Sequence, residues 1–124
     1  MLIEINKMKE TKRPANLHKA YHAHIYFNDS TKEDAKRLCD AIGKQFNFKI
    51  GRFHEKPIGP HPNGSCQVLF GHKDFEKIIP WLEKNRKQLT VFVHGLTGDD
   101  LKDHTDYAYW LGKEEKINLE IFTK

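Results

Sequence analysis

The chain has 124 residues, 38% of them hydrophobic and 31% charged, with 21 basic against 17 acidic side chains. That length suits one domain over 1–124 and excludes a barrel enzyme of about 250 residues, and no run approaches the ~18 uninterrupted apolar residues of a membrane helix. The net charge of +4 is scattered and broken by acids, as in Lys113-Glu-Glu-Lys116, so it offers no continuous track for nucleic acid.

Residues 1–17 read as a loosely ordered lead-in with a short edge strand at Leu2–Ile5, and their charges break the apolar run that a signal peptide needs. Tyr21–Phe27 alternates, with Ala23, Ile25 and Phe27 on one face and His22, His24 and Tyr26 on the other, and forms the first strand. Ser30 and Glu33 form a capping box for a helix whose apolar stripe is Ala35, Leu38, Cys39, Ile42 and Phe46. Phe48 and Ile50 mark the second strand. A connection from Arg52 to Gly64 holds three prolines and ends in Asn63-Gly64, a hairpin-turn signal. Cys66, Val68 and Phe70 alternate in the third strand.

Phe75, Ile78, Ile79 and Leu82 mark a second helix, kinked at Pro80. Leu89, Val91 and Val93 form the core side of a fourth strand, with Thr90, Phe92 and His94 opposite. Asp99 and Asp100 open a short third helix that Gly112 closes, and Ile117, Leu119 and Ile121 indicate a peripheral last strand. The order strand, helix, strand, strand, helix, strand predicts an α+β, ferredoxin-like split βαβ sandwich: a four-stranded antiparallel sheet with two helices on one face, plus a short C-terminal helix and an edge strand. The other sheet face is left open. Cys39 and Cys66 form no C-x-x-C pair and read as core residues of a protein in the reducing cytoplasm.

Histidine is the unusual component, with 8 in the chain. Alternation places His22 and His24 on the open face of the first strand and His94 with Phe92 on the same face of the fourth. These strands are antiparallel neighbours, so His94 should approach His22 or His24. Imidazoles converging from two strands suit Fe(II), Mn(II) or Zn(II). His61, bracketed by Pro60 and Pro62, is a further candidate; a ligand set of His22 or His24 with His61 and His94 fits the pattern equally. His104 shares a helical stripe with Leu101, Ala108 and Leu111 and should face inward, in a supporting or proton-transfer role. His54 is a weaker candidate, and His18 and His72 read as surface residues. Glu55, Asp106 and Glu120 are the possible carboxylate ligands. Tyr26, Phe92, Tyr107 and Trp110 could line an aromatic pocket.

Tyr21-His-Ala-His-Ile-Tyr-Phe27, Gly59-Pro-His-Pro-Asn-Gly64, Val93-His-Gly-Leu-Thr-Gly98 and His104-Thr-Asp-Tyr-Ala-Tyr-Trp110, in that order and spacing, resemble the small DOPA 4,5-dioxygenase family from about Leu17 to Leu111. The resemblance implies a ferredoxin-like homodimer that uses non-haem Fe(II) and O₂ to open the ring of a small catechol. It points to His22, His24, His61 and His94 as the site. We assign His22, His24 and His94 as metal ligands, His61 and His104 as catalytic, and Tyr26, Phe92 and Trp110 as substrate-binding. Two alternatives stand beside this: a cofactor-independent monooxygenase or isomerase on a dimeric ferredoxin-like scaffold, and a catalytically silent metal-binding relative. An RNA-recognition sheet is disfavoured because Ser65–Phe70 lacks paired stacking aromatics.

Overall fold

Small and apolar residues alternate with imidazoles along Ala20–Phe27, which gives the central strand, β1, one face for a core and one for a site. The structure, a computed structural model, describes residues 14–46 and 48–122; the expected Leu2–Ile5 strand lies outside them. After β1 come α1 (Lys32–Phe46), β2 (Lys49–His54), β3 (Gly64–Gly71), α2 (Phe75–Asn85), β4 (Thr90–Gly95), α3 (Asp100–Asp103), β5 (Ala108–Leu111) and a 3₁₀ turn, Leu119–Phe122. The sheet is antiparallel throughout, in the order β2-β3-β1-β4-β5. Its first four strands and two long helices follow the split βαβ order.

The sheet has five strands rather than four. α3 ends at Asp103, and the stretch expected to continue it pairs with β4, setting Phe92 opposite Trp110 and Val93 opposite Tyr109. Tyr109 and Leu111 enter the main core while Ala108 and Trp110 join a second cluster, a period of two that suits the aromatic run better than a helix does. Gly112 therefore ends a strand, at φ 89°. The predicted strand at Ile117–Ile121 is instead a segment ending in the 3₁₀ turn, and Asn118 N–H donates to Pro60 O at 2.8 Å.

Ala35, Leu38, Cys39 and Ile42 of α1 and Phe75, Ile78 and Leu82 of α2 pack on the same sheet face, against Ala23, Ile25, Val68, Val91 and Val93. The capping box does not form. Asn28 Oδ1 accepts from the N–H groups of Ser30 and Thr31 at 2.9 and 3.1 Å and from the Ser30 hydroxyl at 2.7 Å, so Ser30 is spent on the turn and the helix starts at Lys32. α2 continues through Pro80 to Asn85. Cys39 and Cys66 are both buried and free. Their thiols meet, and that hydrogen bond together with burial holds the Cys39 thiol far above its ordinary range.

Asn63-Gly64 is not a two-residue turn, because β2 and β3 are joined by the whole stretch from Glu55 to Asn63. Gly64 opens β3 opposite Phe27, where a Cβ would stand 2.7 Å from the Phe27 ring and 2.9 Å from His54 O. Gly64→Ala should therefore destabilise the fold by about 1–3 kcal/mol, the usual cost of overpacking. An unchanged urea midpoint would contradict this.

Candidate metal centre

The pleat of β1 aims His22 and His24 away from the helices, and register completes the cluster. His94 on β4 pairs with His22, and Phe92 pairs with His24. One nitrogen from each of His22, His24 and His94 lies within 4.8 Å of the others. His24 Nε2 and His94 Nε2 are 3.0 Å apart, and two nitrogens bound at right angles, each ~2.1 Å from one metal, would also stand about 3.0 Å apart. His94 Nδ1 donates to Gly95 O at 2.9 Å, which leaves Nε2 as the bare, metal-competent nitrogen. The donor set thus fits a divalent metal that accepts imidazole, and contains no carboxylate.

Burial disfavours the charged form of these rings. His24 and His94 are 5% and 2% exposed. Desolvation is the largest cause lowering both, with neighbouring imidazoles adding to it; His94 falls to about 3, against a weaker upward pull from the Gly95 carbonyl. Desolvation lowers the half-buried His22 as well.

The face expected to be open is roofed. The Glu55–Asn63 loop and the C-terminal segment meet through the Asn118–Pro60 bond and through Asn63 Nδ2, which donates to Glu115 Oε1 at 2.6 Å. His61 is carried in on this loop, buried, with its ring 4.0 Å from that of His24. Its Nδ1 shares a hydrogen bond of 2.8 Å with the Tyr26 hydroxyl. Desolvation first, then nearby imidazoles, bring His61 down to about 4, and burial pushes the Tyr26 phenol far up, so it stays protonated.

His104 is not on a helical stripe; it sits in the turn after α3. Its Nδ1 donates to Asp100 O at 2.7 Å, and its ring lies 4.2 Å from His94 and 4.5 Å from Phe122. Phe92, Ala108 and Trp110 line a cavity of about 330 Å³ with His104, while Tyr26 instead braces His61. His54 faces a second cavity beside His24 and His61. Glu55 is taken up by Lys32, and Asp106 and Glu120 lie outside the histidine cluster. His72 is exposed as expected. His18 is not a simple surface residue: its ring packs on Tyr107 at 4.6 Å and fills the space beside Gly95, and its Nε2 is buried with no hydrogen-bond partner among the described residues.

Sequence reasoning passed over two residues. Asp103, 2% exposed, accepts from Thr97 N–H at 3.0 Å and the Thr97 hydroxyl at 2.6 Å, and so braces the loop that leaves His94. Asp103→Ala should cost about 1–3 kcal/mol by leaving those donors unmet, read as a lower thermal midpoint. Arg52 is the other: it does not begin the loop, because β2 runs on to His54. The signal for it was that Ile50 and Phe53, three positions apart, are both apolar, which only a bulge reconciles with one core face.

Fold and site together define a two-layer α+β protein with a roofed cluster of three histidines, two of them buried, that could hold a metal. The profile of the Dopa 4,5-dioxygenase family matches residues 21–121, and the chain belongs to that family. It is 33% identical over 110 residues to a DOPA 4,5-dioxygenase of Amanita muscaria, covering 82% of this chain and 48% of that protein. It is 38% identical over 114 residues to an uncharacterized 21.2 kDa protein of Botryotinia fuckeliana, covering 82% of this chain and 62% of that one. The chain thus spans about half to three-fifths of the length of these curated relatives. A solved structure of a "putative dioxygenase" from Nostoc punctiforme superposes with a TM-score of 0.83 at 40% identity, over 86% of this chain and 92% of that one. Among the described residues no helix is long and apolar enough to cross a membrane.

Proposed function

We propose that the protein is an extradiol dioxygenase that opens the ring of a small catechol with O₂, using His22, His24 and His94 as metal ligands. The observation that carries this reading is the convergence of three imidazoles from two strands, in surroundings that disfavour their charged forms, under a roof that brings in a fourth. A non-haem Fe(II) bound there would supply Lewis acidity toward two vicinal hydroxyls and one-electron chemistry toward O₂; Zn(II) or Mn(II) suits the same donors.

The chain's own groups orient and move protons. His61, its charged form disfavoured by burial, acts as the base in the tautomer whose Nδ1–H donates to the Tyr26 hydroxyl oxygen, which leaves Nε2 to take a catechol proton and return it. His104, with Nδ1 committed to Asp100 O, offers its Nε2 from the other side of His94. Phe92 and Trp110, at 0% and 6% exposure, form an apolar wall for the ring, and the roof excludes water. In the overall reaction one carbon–carbon bond beside the diol breaks and both atoms of O₂ enter the product, an aldehyde at one end and a carboxylate at the other.

Anaerobic loading with Fe(II), then ¹⁸O₂ and a panel of catechols, tests the proposal. A yellow product carrying two ¹⁸O atoms is expected, with none from chelator-treated protein. No product from iron-loaded protein would overturn the reading, and turnover by metal-free protein would identify the cofactor-independent monooxygenase instead.

A further inference from the structure

The ladder between β2 and β3 pairs Ile50 with Val68 and Phe53 with Cys66, so Gly51 and Arg52 together stand opposite Gln67. This is a β-bulge, and it re-aims a side chain. Strict alternation would send Arg52 toward the helices with Ile50. The bulge returns it to the histidine face, where Gln67 pairs with His24 across β1. Gly51 suits the crowded position, since a Cβ there would stand 3.3 Å from Gln67 Cβ. Arg52 is two strands from His24, about 10 Å at the usual strand spacing.

Between them lies a cavity of about 290 Å³. His24 and His61 line it on the β1 side and Arg52 and His54 on the β2 side, with Ser65 and Gln67 of β3 between. Among the described residues no carboxylate lines it. The Arg52 guanidinium makes no hydrogen bond or ion pair with any described residue, and the nearest acid in sequence, Glu55, is held by Lys32. On the opposite flank Glu115 is already engaged by Asn63. Arg52 is exposed, and a planar fork on the rim of a cavity that reaches His24 is suited to bidentate capture of a carboxylate.

We propose that Arg52 binds the carboxylate of the substrate, which is a catechol carrying an acid group on a short side chain and no ammonium. This rests on the ring-opening function above. An amino acid or an amine would bring its ammonium beside that guanidinium, in a cavity where no carboxylate of a described residue meets it.

The test compares kcat/KM of iron-loaded protein for 3,4-dihydroxyphenylpropionate, DOPA, dopamine and 4-methylcatechol, in wild type, Arg52→Ala and Arg52→Lys. The acid should be the best substrate. Arg52→Ala should lower its kcat/KM about 10–100-fold more than that of 4-methylcatechol, the worth of a charge-assisted hydrogen-bonded pair, through KM, with partial recovery in Arg52→Lys. Equal losses on both, or a wild-type preference for DOPA or dopamine, would overturn the assignment while leaving ring cleavage in place. If no catechol is cleaved, the ring-opening function fails, and calorimetry with 3-phenylpropionate decides the Arg52 site separately. Binding lost in Arg52→Ala upholds it; binding equal in both proteins, or absent from both, overturns it.

Discussion

Replacing His24 with alanine should remove metal binding and turnover together. His24 is the ring around which the centre is built: its Nε2 is 3.0 Å from that of His94, and its ring touches His61 at 4.0 Å between centroids. Disturbing even an outer partner of a metal ligand weakens affinity about 10–100-fold, so losing a ligand should exceed the upper end of that range. Activity at fixed Fe(II) should fall at least as far. The ring lies outside the main core but is buried, so its truncation should also lower the thermal midpoint through the cavity it leaves; metal content measured on folded protein separates lost binding from lost folding. Retained metal content and turnover in a folded His24→Ala protein would place the centre elsewhere.

His61→Gln makes a different prediction. His61 stands outside the cluster formed by His22, His24 and His94, and glutamine can still meet the Tyr26 hydroxyl while offering no base. Loss of a positioned acid–base group lowers rates about 10²–10⁴-fold. That loss should appear in kcat, with Fe(II) stoichiometry unchanged. Metal content falling in step with activity would instead put His61 among the ligands, the set that alternation alone left equally open.

The histidine cluster was legible because two independent alternations agreed. Ala23, Ile25 and Phe27 fix which way β1 faces, Leu89, Val91 and Val93 do the same for β4, and antiparallel pairing then sets His94 opposite His22. The roof was not legible, since the path of the Glu55–Asn63 loop depends on partners far along the chain, Glu115 and Asn118. β5 was misread because Leu101, His104, Ala108 and Leu111 happen to fall at helical spacing, while the pairing that makes 108–111 a strand is with β4. His18 was set aside for want of local context; its burial comes from Gly95, which leaves room for the ring. Arg52 was missed for a similar reason, because a bulge is an exception to the period by which a strand is recognised.

Iron K-edge absorption on anaerobically reconstituted protein tests the central claim most directly, because it counts the imidazoles around the metal. One Fe(II) per chain with three imidazole ligands is the predicted result, with the remaining positions filled by oxygen from water or catechol. A first shell with one imidazole or none, or iron that fails to bind the folded protein, would contradict the assignment of His22, His24 and His94 as the metal centre.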